Sequence, residues 1–169
     1  MTPFQTQVDP SSEGFLANRR EMLELVERLR RCEARAEALS EKRRETFAQR
    51  GQLTPRERVH RLLDPGLPFL ELYNLANFLV EDPSRETSVP GASMVCGIGF
   101  VSGVRCLVVA DDSGINAGAV TPMSVPKILG AMDIALAHKL PFVHLVESAG
   151  ANLLQYTVET WAHGGGLYC

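Results

Sequence analysis

The chain has 169 residues, 45% of them hydrophobic and 22% charged, which suits one ordinary globular domain and argues against a disordered or fibrous chain. Its net charge of −3 is uneven: residues 1–50 hold ten Lys and Arg against nine Asp and Glu, and residues 51–169 hold seven against eleven. That balance leaves no basic stripe of the kind nucleic-acid binding requires. The four cysteines, Cys32, Cys96, Cys106 and Cys169, lack both C-x-x-C spacing and paired histidines, so neither a zinc site nor a disulfide framework is expected. The opening MTPFQTQVDPSSEGF has no basic stretch ahead of an apolar core, and no apolar run is long enough to span a bilayer. A cytoplasmic, reducing setting without membrane contact is the expectation.

A long charged helix is predicted from about Phe15 to about Arg50, with Ser11 or Ser12 able to cap it. Met22, Val26, Leu29, Cys32, Ala36 and Leu39 recur at spacings of three and four and fall on one stripe. Such a stripe suits an arm lying on its own domain or on a partner subunit. A free-standing coiled coil needs a longer seam, and the glutamates interleaved in EKRRE cancel a nucleic-acid-binding field. Next, Thr54, Pro55 and Glu57 form the pattern of a capping box, opening a short helix that Asp64-Pro65-Gly66 stops. A strand in PFLELYNL then runs into a turn-rich loop, Glu81 to Ser93, expected to be mobile. SMVCGIGFVSG and VRCLVVADD are two β-rich runs joined at Ser102-Gly103 as a hairpin. A helix follows from about Met123, with Ile128, Leu129, Met132, Ala135 and Leu136 on one side. PFVHLVES is a short strand, and YTVETWAHGGG carries a last helix ending in glycines. The order strand, hairpin, helix, strand, turn, helix describes a layered α/β core.

Several chemistry-bearing patterns fail on inspection. LVESAGANL places Ser148 like a hydrolase nucleophile, yet the G-x-S-x-G elbow needs glycine where Val146 stands. The HGGG string from His163 also follows the serine, whereas in such hydrolases it precedes it, and its surroundings suit a helix C-terminus. GIGFVSG lacks the third glycine of a dinucleotide fingerprint, having Ser102 there, and leads into a strand instead of a helix. Asp111 and Asp112 are adjacent and point different ways, so a shared acid or metal site is not implied, and Asp112 suits a turn or cap. No sequence partner marks His60, His138, His144 or His163 as a general base, and His144 inside an apolar strand suits packing and hydrogen bonding. Glu147, at a strand end before small residues, is placed either to cap the following turn or to act as a base.

Three ordered stretches together resemble one family: RGQLTPRERVHRLLDPGLPFLEL, VADDSGINAGAVTPMSVPKILGAMDIA and LPFVHLVESAGANL. They resemble the carboxyltransferase β subunits of biotin-dependent acyl-CoA carboxylases, and Ala151-Asn152-Leu153 is most similar to the methylcrotonoyl- and geranyl-CoA branch. The resemblance implies a crotonase-like α/β fold, an incomplete layered sheet-and-helix core with a long N-terminal helical arm. Residues 1–50 would be the tail and arm, and 51–169 the first part of the N-terminal carboxyltransferase domain. The implied reaction moves a carboxyl group from carboxybiotin to an acyl-CoA enolate. Biotin would ride on a partner, a biotin carboxylase or biotin carboxyl carrier subunit, and the complete protein would be a homo-oligomer. No metal is implied.

Enolate formation places negative charge on the thioester oxygen, which pre-aimed backbone N–H groups stabilise, and only small residues let backbone come that close to a ligand. Biotin itself is implied to take the proton, so no side-chain base is required. Carried over by position, Gly150 and Ala151 are the expected backbone oxyanion donors, with Ala151 N–H the best placed. Asn116, Gly118 and Lys127 fall where the fold meets acyl-CoA, Lys127 either pairing with a phosphate or standing solvated. The chain departs from the family pattern with Asp111 for Asn, Glu147 for Asp, Ala149 for Gly, Asn116 for Lys and Gly130 for Arg. A second glycine-rich turn and the biotin-binding domain would lie beyond Cys169, so a fragment inactive by itself is expected. Two other readings remain open: the carboxyltransferase subunit of a biotin-dependent decarboxylase, and a non-catalytic interaction module docking through residues 15–50.

Overall fold

The computed structural model describes residues 5–151 and 157–164. The contacts divide the chain inside its first helix, into Met1–Cys32 and Glu33–Cys169. In the first unit, α1 (Glu13–Glu41) opens where Ser12 Oγ accepts the Phe15 N–H at 3.3 Å, the expected cap. Of the predicted stripe, Met22 and Leu29 are exposed there, at 59% and 42%, Val26 is half-buried and Cys32 is buried.

The second unit begins with the last turns of α1. The helix does not run on to Arg50. It stops at Glu41, and a separate short helix α2 (Arg44–Gln49) follows. The last turn of α1 is anchored to the domain: Ser40 is buried, and its hydroxyl donates to Asp112 Oδ1 at 2.6 Å. Helix α2 is then fixed by the buried Phe47 and closed by Gly51 at φ +66°. Helix α3 (Pro55–Leu62) carries the full capping box, with Thr54 and Glu57 each bonding the other's backbone N–H.

Four strands form one sheet in the order β1 (Leu70–Glu71), β2 (Met94–Val101), β3 (Val104–Asp111) and β4 (Phe142–Leu145). The first two pairings are antiparallel and the last is parallel, so α4 (Ser124–His138) is the crossover of a β-α-β unit. The β2–β3 hairpin turns at Ser102-Gly103, both with positive φ, and Asp64 holds the turn by accepting both N–H groups. Alternation along the strands sorts two faces. Met94, Cys96, Leu107 and Val109 pack with Ile128, Ala131 and Ala135 of α4. Val95 and Ala110 pack with Val59 of α3 on the other side. The sheet is thus sandwiched between helices, as the layered α/β expectation required. The buried face of α4 runs 128, 131 and 135 with Met132 beside it, and Leu136 lies outside it at 81% exposure. It sits a residue beyond the period that faces the sheet.

The loop expected to be mobile is fastened along its length. Arg35 donates to the carbonyls of Arg85 and Ser88, and the buried Ser88 accepts the Leu79 N–H. Gly91, Ala92 and Ser93 all take left-handed backbone. Helix α4 gathers the carbonyls around that bend: Ser124 Oγ donates to Ala92, and Lys127 Nζ donates to Gly91 at 3.0 Å and Met94 at 2.7 Å. Lys127 is only 3% exposed, and burial pulls its pKa down to about 8.

Two outcomes follow from this packing. A Cβ at Gly97 would stand 2.6 Å from the Leu70 carbonyl and 2.5 Å from the Phe69 ring, whereas one at Gly14 meets nothing. Gly97→Ala is therefore expected to destabilise the chain by about 1–3 kcal/mol in urea unfolding, and Gly14→Ala not at all; equal effects would refute this packing. Lys127 binds fewer protons folded than unfolded between its folded pKa of about 8 and its ordinary 10.5. Stability should rise with pH across that window, by roughly 3 kcal/mol for wild type relative to Lys127→Met. Parallel pH profiles for the two proteins would show that the ammonium carries no burial penalty.

Candidate functional site

The site forms where β3 and β4 end side by side. Asp111, the last residue of β3, is 3% exposed. Its Oδ2 accepts the Glu147 N–H at 3.0 Å, and its Oδ1 lies 3.2 Å from His144 Nε2. A neutral histidine must be the donor to a carboxylate, so Nε2 carries the proton. His144 is thus hydrogen-bonded, as expected, to the end of the neighbouring strand. Arg58 of α3 donates to the Asp111 carbonyl at 2.9 Å and pairs with Glu147 Oε2 at 2.8 Å. Ser113 Oγ donates to Glu147 Oε1 at 2.8 Å. Glu147 is therefore engaged on both oxygens, as a strut between α3 and the loop after β3. Asp112 turns that loop, accepting the Gly114 N–H at 3.1 Å as well as the Ser40 hydroxyl. Burial raises its pKa against the lowering effect of those bonds.

Beyond it the backbone goes left-handed at three successive residues, Asn116 (φ +48°), Ala117 (φ +54°) and Gly118 (φ +68°). For Ala117 that conformation costs about 1–2 kcal/mol, so surrounding bonds must hold it. They come from the loop after β4. Ala149 N–H donates to Ala117 O at 3.0 Å, Ser148 Oγ to Gly118 O at 2.6 Å, and Val120 N–H to Gly150 O at 3.0 Å. A Cβ at Gly118 would sit 2.4 Å from the Glu147 carbonyl, so glycine there is a steric requirement.

Ser148 has its proton on a carbonyl and accepts the Gly150 N–H at 3.0 Å. It is a turn residue and no nucleophile. Gly150, at φ +87°, meets nothing where a Cβ would be, so its glycine serves conformation. With its N–H turned onto Ser148, Gly150 is the less available of the two expected oxyanion donors. Val120 and Ala151 form a parallel bridge in which Val120 makes the bond. In that geometry the Ala151 N–H points away from the partner segment, and it has no acceptor among the described residues.

A cavity of about 550 Å³ opens against this loop pair, with Asn116, Ala117, Ser148 and Ala149 on its wall. Asn116 lines it, while Gly118, Gly150 and Ala151 shape the loops that bound it. Lys127 is not there: its ammonium is turned inward to two carbonyls, so it is neither solvated nor free for a phosphate. The opposite wall is Arg43, Thr46, Phe47 and Arg50. Sequence reading missed this wall, although RRETFAQR spaces those four residues at i, i+3, i+4 and i+7. It also missed Arg58, whose partners lie 53 and 89 positions further along the chain. The last helix, α5 (Val158–Gly164), ends within HGGG as expected, but Gly165 and Gly166, like Asn152 and Leu153, lie outside the described residues.

The chain is similar to several known proteins. It is 48% identical over 115 residues to the biotin-dependent 3-methylcrotonyl-coenzyme A carboxylase beta1 subunit of Mycobacterium tuberculosis, covering 68% of this chain and 21% of that protein. It is 40% identical over 149 residues to a probable mitochondrial methylcrotonoyl-CoA carboxylase beta chain of Drosophila melanogaster, covering 88% and 25%. Among solved structures, the beta subunit of Pseudomonas aeruginosa geranyl-CoA carboxylase superposes with a TM-score of 0.87 at 40% identity, over 96% of this chain and 30% of that one. The transcarboxylase 12S structure with methylmalonyl-coenzyme A bound superposes with a TM-score of 0.73 at 26% identity, over 87% and 29%. The chain therefore spans less than a third of each of these relatives. Residues 47–168 match the carboxyl transferase domain, and the chain belongs to that family.

Proposed function

We propose that this chain supplies the acyl-CoA side of a carboxyltransferase site in a biotin-dependent acyl-CoA carboxylase. The observation that carries the reading is the loop pair 116–120 and 147–151. Its hydrogen bonds lock a left-handed turn and leave the Ala151 N–H pointing away from the 116–120 segment, with no acceptor among the described residues. A fixed N–H at the thioester oxygen stabilises the charge that grows there on enolate formation, and it requires no reorganisation. Gly150 acts by shaping the turn, Asn116 by lining the cavity, and Gly118 by letting the two loops approach. Lys127 supports the site from behind, through the bend at residues 91–93. Ser148, Glu147 and Asp111 position backbone and transfer no proton.

Biotin, held on a biotin carboxylase or carrier subunit, supplies the carboxyl group, and no described residue is assigned to it. The relatives named for 3-methylcrotonyl- and geranyl-CoA support a 3-methyl-2-enoyl thioester as the acyl substrate. A homo-oligomeric, cytoplasmic ligase is the setting this reading implies.

Calorimetry distinguishes a thioester-reading turn from an unrelated cleft. The chain should bind 3-methylcrotonyl-CoA roughly fivefold more tightly than a thioether analogue lacking the carbonyl oxygen, the worth of about one hydrogen bond. Gly118→Val, which forces the loops apart, should erase that preference. Equal affinities for thioester and thioether in the unaltered chain would sink the reading.

A further inference from the structure

The cavity beside the oxyanion turn has a cationic wall. Arg43 and Arg50 bracket α2, and their caps keep near-helical backbone, with φ and ψ of −95° and 1° and of −91° and 1°. Seven residues of helix separate their backbones by roughly 10 Å and bring them to one face. Thr46 and the buried Phe47 lie between them on the same wall, and Phe47 pins the helix to the domain. Both arginines are exposed.

The arginines around them are already engaged. Arg44 pairs with Glu41 and Glu57, Arg56 with Glu71, and Arg58 with Glu147. Among the described residues, Arg43 and Arg50 have no acidic partner. The acid on the facing wall, Glu147, is held by Arg58 and Ser113. The cavity therefore presents two uncompensated guanidinium groups across from Asn116 and the turn. Guanidinium is the side chain best matched to phosphate oxygens, which it binds in bidentate fashion.

We propose that Arg43 and Arg50 form the phosphate-recognising wall of this cavity and hold the nucleotide phosphates of the acyl-CoA while its thioester lies at the 147–151 turn. This rests on the acyl-CoA reading above and gives to α2 the role that position alone suggested for Lys127. It also accounts for the charge on this short helix, where one arginine is tied into a carboxylate pair and its neighbours face an open cavity.

The test is a calorimetric titration of the 169-residue chain, and of its Arg43→Gln/Arg50→Gln variant, with CoA, 3′-dephospho-CoA, pantetheine and inorganic phosphate. Both side chains are exposed, and unchanged thermal unfolding of the variant checks the fold. CoA affinity should fall at least about tenfold in the variant, the loss of one charge-assisted contact or more, and pantetheine affinity should stay the same. Tighter binding of CoA than of 3′-dephospho-CoA, lost in the variant, would assign the ribose phosphate; an equal loss for both would assign the pyrophosphate. The proposal is overturned if the variant binds CoA like wild type, if pantetheine binding falls in step with CoA binding, or if inorganic phosphate alone binds as tightly as CoA. In the first two cases acyl-CoA binding by the unaltered chain still stands. If the unaltered chain binds neither CoA nor pantetheine, the acyl-CoA reading itself falls.

Discussion

The site depends on one close approach, the backbone of Gly118 against the carbonyl of Glu147, where no Cβ fits. That approach lets the loops after β3 and β4 share three hydrogen bonds, and those bonds hold Ala117 in a conformation it would not choose alone. The direction of the Ala151 N–H is a consequence of the same pairing. The β-α-β unit brings the two strand ends together in parallel, so the loops leave in the same direction and can pair. The fold sets the distance and Gly118 permits the contact.

Charge beneath the loops follows the same logic of mutual support. An aspartate at 111 brings a buried negative charge that an asparagine would not, and such a charge is costly unless it is bonded. Here the carboxylate accepts the Glu147 N–H and faces the His144 ring, while the longer side chain at 147 reaches out to Arg58 and Ser113. Positions 111 and 147 are thus connected through one backbone bond and one shared guanidinium. The inner acid orients backbone, and the outer one ties a helix to a loop.

What could be foreseen from sequence was local. The capping box at Thr54, the hairpin at Ser102-Gly103, the turn role of Ser148 and the family motifs depend on residues a few positions apart. The anchoring of the end of α1 does not, because Ser40 there reaches Asp112, 72 positions away. Lys127 misled for a related reason. Helical periodicity puts a lysine on a face but not at a depth, and only the left-handed bend at residues 91–93 shows why an ammonium belongs inside. The Arg43–Arg50 face was spaced plainly enough, but net charge over EKRRE conceals it. Cancellation in a sum does not mean that the charges meet in space.

Gly130 on α4 stands where the family resemblance places an arginine, and its absence first suggests lost charge. Yet a Cβ there would come within 2.6 Å of the Tyr73 hydroxyl, and Tyr73 itself takes left-handed backbone at φ +56°. The helix leaves room there for the ring. The two positions are therefore sterically coupled: a larger residue at 130 needs the Tyr73 ring turned away, so the effect of a substitution at either depends on what stands at the other.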